Sequence, residues 1–406
     1  MSELLLSFYG DDFTGSTDAM ESLARGGVRT MLFTEPPTAA QLARYDGLQA
    51  FGVAGMTRAM TPQQMEQTLR PAFTAMSACG APIVHYKVCS TFDSSPAVGS
   101  IGRAIDVGAE VFDASAVPVV VGAPSLGRYC VFGNLFARCG TESEPYRLDR
   151  HPSMSDHPTT PMDEADLRQH LSKQTRRSIG LIDVTQLDRG ITSLADAKVD
   201  VVLIDLLHDA QLSTVGRLIE ASPFVVGSSG VESALIARWN REPRNFPPVK
   251  GARPILAVCG SCSPVTAQQM AWAASNGFVD VAFEAASATS DAIAALREGR
   301  SVVLHTRDAR SASGIGAALG RVARDVHEAT RLRRVLVAGG DTSGEVALAL
   351  GIESLEMIGE LTRGAPLCRA TAPNAPADGI EVTFKGGQIG GVDFFGLVRD
   401  GSSHHG

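Results

Sequence analysis

No long apolar run exists in this chain, and so no segment that could span a bilayer as a helix. A basic surplus is missing as well: 36 Lys and Arg stand against 44 Asp and Glu, a formal charge of −8. Nucleic acid and anionic membrane both require a basic face, so neither is expected as a partner. Cysteine is sparse, seven in number and without framework spacing, which argues against a disulfide scaffold and fits reduced thiols in a cytoplasm. No basic segment or cleavage site precedes the first apolar run, so no signal peptide is expected. No G-x-G-x-x-G follows that run, which counts against a dinucleotide-binding dehydrogenase.

What is present is an ordinary globular balance, 44% hydrophobic and 20% charged, over 406 residues. That length exceeds one usual core, so two domains are expected. Apolar runs at Leu4–Tyr9, Arg29–Phe33, Leu48–Val53, Pro82–Tyr86, Val117–Gly122, Ser178–Val184 and Val199–Leu207 read as strands. Thr17–Arg25, Pro62–Ala78, Val98–Gly108 and Ala210–Ala221 read as helices. A proline-rich stretch, Arg241–Gly251, breaks the pattern, and a second strand–helix series follows from Ile255 to Phe384. The expectation is an α/β protein with domains 1–245 and 246–406. Each is a mainly parallel or mixed sheet flanked by helices, with the active site in the cleft between them.

Two glycine-and-acid loops carry the chemistry. Gly10-Asp11-Asp12-Phe13-Thr14-Gly15-Ser16-Thr17-Asp18 follows the first strand, and Gly339-Gly340-Asp341-Thr342-Ser343-Gly344 follows Val335–Ala338. Glycines let backbone amides approach an anion, and the helix starting next adds its positive end. The second loop lacks the Lys of a P-loop, yet its amides and hydroxyls suit phosphate oxygens. Simple capping by Asp341 or Thr342 is the bland alternative. Cys259-Gly260-Ser261-Cys262-Ser263-Pro264 and Lys385-Gly386-Gly387-Gln388-Ile389-Gly390 make two further turns at strand ends, as in a nucleotide cradle. The C-x-x-C within the first is better read as a serine-rich turn than as a metal or redox site. Lys87, ending a strand, is followed by Ser90, Thr91, Asp93, Ser94 and Ser95, a set suited to a small anion with several hydroxyls. Arg147–Met162, with Arg150, His151 and His157 among prolines, reads as a lid or anion clamp.

The chain resembles the four-carbon acid sugar kinase family. The resemblance rests on Asp11-Asp12-Phe13-Thr14-Gly15 with Asp18, and on Lys87 through Pro96. It continues through Gly122-Ala123-Pro124-Ser125-Leu126-Gly127-Arg128-Tyr129, Phe132-Gly133-Asn134-Leu135-Phe136, Arg147–Pro152 and the loops at Ser261, Gly339 and Lys385. The Cys89-Ser90-Thr91-Phe92-Asp93 form is similar to the 3-oxo-tetronate branch rather than to threonate or erythronate kinases. Gly386 stands where family members often carry serine.

The resemblance implies ATP-dependent phosphorylation of the terminal hydroxyl of a four-carbon sugar acid, with Mg2+ accompanying ATP. In it, Lys87, Arg150 and His151, with Ser90, Thr91 and Asp93, would bind the acid. Asp12 would take the hydroxyl proton, while Asp11 or Asp18 orients that group or the metal. Asp341 is the alternative base. Ser261, Ser263, Gly339, Gly340, Asp341, Thr342, Ser343, Gly344, Gly386 and Gly387 would hold ATP. The expected partners are the acid and ATP, with a homodimer as a candidate assembly. A non-catalytic sugar-acid or nucleotide sensor and a dehydrogenase are the competing classes. ATP, and not NAD, should raise the melting temperature of the chain; the reverse result would favour the dehydrogenase.

Overall fold

The computed structural model describes residues 3–139, 143–157, 159–195, 198–261, 263–306 and 314–402. Its contacts divide the chain into two units. The first takes the chain up to Gly15, Ser22–Arg29 and Pro36–Pro243; the second takes Ser16–Glu21, Thr30–Glu35 and the chain from Arg244.

In the first unit, parallel strands run in the order Ala50–Ala54, Leu6–Gly10, Val84–Lys87, Phe224–Gly227, Val117–Val120, Val201–Ile204 and Ile179–Ile182. Leu6–Gly10 and Ala50–Ala54 are buried throughout, which explains why they appear in the sequence as mainly apolar runs without alternation, and Val84–Lys87 is equally buried although it carries His85 and Lys87. Chain order reverses at Leu6–Gly10, whose neighbours are Ala50–Ala54 on one side and Val84–Lys87 on the other. Such a switch point opens a crevice at the carboxyl ends of the strands. Register keeps those ends level: Gly10 lies opposite Ala54 and Lys87, and Lys87 opposite Gly227.

A small antiparallel sheet, Arg128–Val131, Asn134–Arg138 and Pro145–Arg147, interrupts this pattern. Its hairpin turn places Phe132 and Gly133 at positive φ (49° and 80°), the conformation a two-residue hairpin requires. Asp205, fully buried just beyond Val201–Ile204, holds that turn by accepting from the Phe132 and Gly133 amides at 2.6 and 3.0 Å.

The second unit is a mixed sheet in the order Val279–Ala282, Val302–His305, Leu256–Cys259, Arg334–Ala338, Glu381–Lys385, Ala365–Thr371, Ser354–Thr362 and Thr30–Phe33. The first five strands are parallel and the last three join antiparallel. Thr30–Phe33 sits in this unit because it pairs with the start of Ser354–Thr362, Phe33 opposite Ser354. A division at 245/246 drawn from the linker therefore assigns these early residues differently from the contacts, since pairing across such a separation leaves no local trace. Among the described residues, no helix is long and apolar enough to cross a membrane.

Arg334, 1% exposed, anchors this unit. Its Nε and Nη2 donate to Glu381 Oε2 at 2.9 and 2.6 Å, Nη1 to the Val398 carbonyl at 2.6 Å and Nη2 to the Lys250 carbonyl at 2.8 Å. Burial alone would raise the Glu381 carboxyl, but hydrogen bonds from Arg333 and Arg334 outweigh it and hold it below the usual glutamate range. The pair therefore contributes stability above the ordinary glutamate pKa, and that contribution is lost as pH falls through the lowered folded value. Glu381→Ala, which strands a buried cation, should cost about 3–5 kcal/mol in urea unfolding near pH 7. The deficit relative to wild type should shrink in acid; a loss below about 1 kcal/mol at neutral pH would contradict this account.

Candidate active site

In the first unit the adjacent acids Asp11 and Asp12 follow the strand Leu6–Gly10, and Arg58 lies between them. Arg58 Nη2 and Nε reach Asp11 Oδ1 and Oδ2 at 2.6 and 3.1 Å, while Nη1 reaches Asp12 Oδ2 at 2.9 Å. The arrangement is tied to the backbone, since the Arg58 amide donates to the Asp11 carbonyl at 3.0 Å. Two neighbouring carboxylates repel unless a cation offsets them, and the planar fork of arginine can serve both. Burial nevertheless pushes the Asp11 carboxyl up to about 6, with Arg58 opposing and Asp12 adding to the rise.

Asp12 has a second duty as N-cap of the helix Phe13–Arg25, accepting from the Gly15 amide at 2.7 Å. Its side chain is 19% exposed against 4% for Asp11, so Asp12 is the carboxylate of this pair that solvent reaches. A Cβ on Gly15 would lie 2.5 Å from Asp12 Oδ1, so a larger residue there would require the Asp12 carboxylate to shift.

Beside the acids, Lys87 ends its strand, 3% exposed, with Nζ donating to Ser229 Oγ at 2.7 Å. Ser229 opens the helix Ser229–Trp239 directly after the neighbouring strand. Burial, reinforced by Asp93, pushes the Cys89 thiol up to about 11, so it stays protonated at neutral pH. Thr91 donates to Asp93 at 2.6 Å, and Phe92 between them adopts φ 58°, a left-handed conformation unusual for a bulky side chain. The loop is fixed further on by Ser94, bonded to His170 Nε2 at 2.9 Å and to Gln174 at 3.0 Å. Burial lowers the His170 imidazole to about 4, so it is neutral there. Ser90 is half-buried on the same loop.

Asp18, Arg150 and His151, also singled out in the sequence, stand on other segments. Asp18 is half-buried on the helix Phe13–Arg25, in the segment that contacts assign to the second unit. Arg150 is exposed and makes no hydrogen bond or ion pair among the described residues. His151 is buried and caps its own turn: Nδ1 accepts from the Ser153 and Met154 amides at 3.2 and 3.3 Å, and burial lowers its pKa. The turn is packed down by Leu148, Met154 and Met162, all buried, and His157 likewise accepts from the Thr160 amide at 3.1 Å. Packing of this kind is that of a fixed turn, where the sequence suggests a lid or anion clamp; Pro158 lies outside the described residues.

In the second unit, the glycine turns that follow Leu256–Cys259, Arg334–Ala338 and Glu381–Lys385 converge, because Cys259, Ala338 and Lys385 are level across adjacent strands. A Cβ on Gly260 would meet Thr342 Oγ1 at 2.1 Å, and one on Gly387 would meet Ser261 Oγ at 2.6 Å. Gly339 adopts φ 125°, open only to glycine, and accepts from Ser343 Oγ at 2.7 Å. Gly340, Asp341, Thr342, Ser343 and Gly344 form the first half of the helix Gly340–Ala349, with Asp341 exposed and Thr342 and Ser343 buried.

The third loop turns its carbonyls inward. Ser263 Oγ and Thr266 Oγ1 donate to the Gly387 carbonyl at 2.8 and 2.9 Å, and Gln269 Nε2 donates to the carbonyls of Ile389, Gly390 and Gly391. The Gly386, Gly387 and Gln388 amides have no hydrogen-bond partner among the described residues. Free amides beside a helix N-terminus suit a phosphate, so the residues fit a nucleotide. No group of three His, Cys, Asp or Glu among the described residues could hold a metal, so a Mg2+ here would lean on phosphate oxygens and on Asp341 as the exposed acid. Cys262 lies outside the described residues.

Residues 6–235 match the family described as "Sugar-binding N-terminal domain", and residues 256–395 the one described as "Nucleotide-binding C-terminal domain". The chain belongs to the four-carbon acid sugar kinase family. It is 44% identical to the 3-oxo-isoapionate kinase of Paraburkholderia graminis, covering 98% of this chain and 94% of that one. It is 33% identical to the 3-oxo-tetronate kinase of Methylobacterium radiotolerans, over 98% and 99%. A solved Haemophilus influenzae protein shares the fold at 19% identity, with a TM-score of 0.76 over 97% and 98% of the two chains. The chain is a sugar-acid kinase.

Arg58 was not singled out from the sequence. Its signal is positional only: it follows a buried strand that pairs with the Asp-bearing one. Arg58→Ala should raise the Asp11 pKa above about 6, because burial and Asp12 then act without the opposing guanidinium. Carboxyl titration by NMR reads this directly, and an unchanged or lower value would show that Arg58 does not set the charge of the pair.

Proposed function

We propose that this kinase transfers the γ-phosphoryl group of ATP to the terminal hydroxyl of a 3-oxo sugar acid. The observation that carries the reading is the Asp11–Arg58–Asp12 fork beside Lys87, at the switch point of a sheet in the sugar-binding unit. Lys87 and the Ser90–Asp93 hydroxyls and carboxylate supply charge and hydrogen bonds for a carboxylate rich in hydroxyls. Arg150, exposed and unpaired among the described residues, is the further cation for the acid. His151 orders the turn that presents Arg150, because its ring is committed to neighbouring amides.

Asp12 takes the proton of the attacking hydroxyl. It is the reachable acid of the pair, while Asp11 locks Arg58 in place. The glycine turns at Ser261, Gly339 and Gly386 hold the phosphates of ATP, and a Mg2+ bound with ATP would supply positive charge against that of the transferred group. The two relatives named above share a 3-oxo acid as acceptor, and the higher identity to the isoapionate enzyme favours 3-oxo-isoapionate over 3-oxo-tetronate.

The test is ADP release with 3-oxo-isoapionate, 3-oxo-tetronate, threonate and erythronate offered side by side. The 3-oxo acids should be turned over with kcat/KM at least about tenfold above the others, a difference of roughly 1.4 kcal/mol. Asp12→Asn should lower kcat by about 10²- to 10⁴-fold while leaving ATP binding intact. Near-normal turnover in that variant would remove Asp12 as the base, and turnover of threonate or erythronate alone would remove the 3-oxo specificity.

A further inference from the structure

The reading of the second unit as the ATP site leaves one charge unexplained. Lys385 ends the strand Glu381–Lys385 and is fully buried. Its Nζ donates to Thr266 Oγ1 at 2.9 Å and lies 3.4 Å from the Gly387 carbonyl. Both partners are neutral. No carboxylate pairs with it among the described residues, although Glu381 on the same strand is paired twice over, with Arg333 and Arg334. A buried ammonium without a counter-charge is unfavourable, and proteins retain one where something supplies the missing negative charge.

The surroundings indicate what that is. The ammonium lies beneath the loop whose Gly386, Gly387 and Gln388 amides have no hydrogen-bond partner among the described residues. It also fixes that loop, because Thr266, which takes its hydrogen bond, donates in turn to the Gly387 carbonyl. We propose that Lys385 is a positioning residue of the nucleotide site, holding the Gly386–Gly390 loop and supplying the positive charge that a nucleotide phosphate balances. The inference deepens the proposed function and rests on it.

Burial lowers the Lys385 pKa to about 8, so the free protein loses this charge just above neutrality. A bound phosphate favours the charged form, and by linkage the phosphate binds more weakly once the lysine is neutral. The groups that act on Lys385 or flank it are few. Cys259, on the strand beyond the neighbouring Arg334–Ala338, is the titratable group whose charge reaches it. The helix Pro264–Ser275 offers Thr266 and Gln269, both neutral, and Asp341 stands exposed on the Gly339 turn. The Arg334–Glu381 pair occupies the far end of the strand, and Cys368 on the other flank is a buried thiol opposite Val382.

The test is calorimetric binding of MgADP and of adenosine to the full chain, for wild type, Lys385→Met, Lys385→Arg and Cys259→Ala, between pH 7.5 and 9.5. Wild-type affinity for MgADP should fall by up to about tenfold per pH unit above about 8, while adenosine binding stays level. Lys385→Met should bind MgADP at least about tenfold more weakly at pH 7.5, bind adenosine as wild type does, and show no pH dependence. Lys385→Arg, which keeps its charge throughout, should also lose the pH dependence. Cys259→Ala should retain it. Level wild-type affinity for MgADP over this range, or equal binding by Lys385→Met, would overturn the proposal, and the wild-type titration decides even if the methionine variant does not fold. Failure of wild type to bind either ligand would instead overturn the ATP-site reading, and the proposal with it.

Discussion

Buried charge has to be answered by charge, and this constraint explains the chemistry-bearing parts of both units. At the end of the strand Leu6–Gly10 in the first unit, Asp11 and Asp12 stand side by side only because Arg58 reaches both. That fork fixes the entry into the helix Phe13–Arg25 and leaves one of the two carboxylates open to solvent. Without the guanidinium, the pair would protonate or splay, and the turn would lose the feature that suits it to accepting a proton. In the second unit the Arg334–Glu381 pair is the same solution used purely for structure, since its remaining hydrogen bonds all go to backbone carbonyls.

The parallel strands and their helices were legible in the sequence because strands buried on both faces are continuous apolar runs. Thr30–Phe33 ends and Val117–Val120 begins where the pattern places them, and most other strand ends shift by a residue or two. What escaped is what depends on partners distant in sequence. Phe224–Gly227 is four residues long and directly follows a proline, so nothing local separates it from a turn. The antiparallel pair Ser354–Thr362 and Ala365–Thr371 alternates buried and exposed positions irregularly, with register shifts, which blurs the period-two signal.

The same limit governs the candidate site. Glycine turns at strand ends were visible because glycine is the residue that lets neighbouring side chains approach the backbone closely, as Thr342 does at Gly260 and Ser261 at Gly387. Arg58 and Ser229 were not visible, since an arginine after a strand and a serine in a turn are common and acquire meaning only through what lies opposite. His151 shows the converse. Histidine in a proline-rich segment looks chemical in sequence, yet its ring is occupied in ordering the backbone around it. Residue type suggests a role, and the remaining lone pairs and protons decide whether that role is open.

The pairing of Thr30–Phe33 with Ser354–Thr362 has a practical meaning for anyone dissecting this chain. A fragment cut at the proline-rich linker would carry the nucleotide loops but leave behind the outermost strand of their sheet. Ser354 through Glu356 would then present bare backbone donors and acceptors to solvent, and such a margin recruits whatever extended peptide it meets, another copy of itself included. The linker marks where the polypeptide is easy to sever, while the early strand marks what an autonomous C-terminal piece would have to keep.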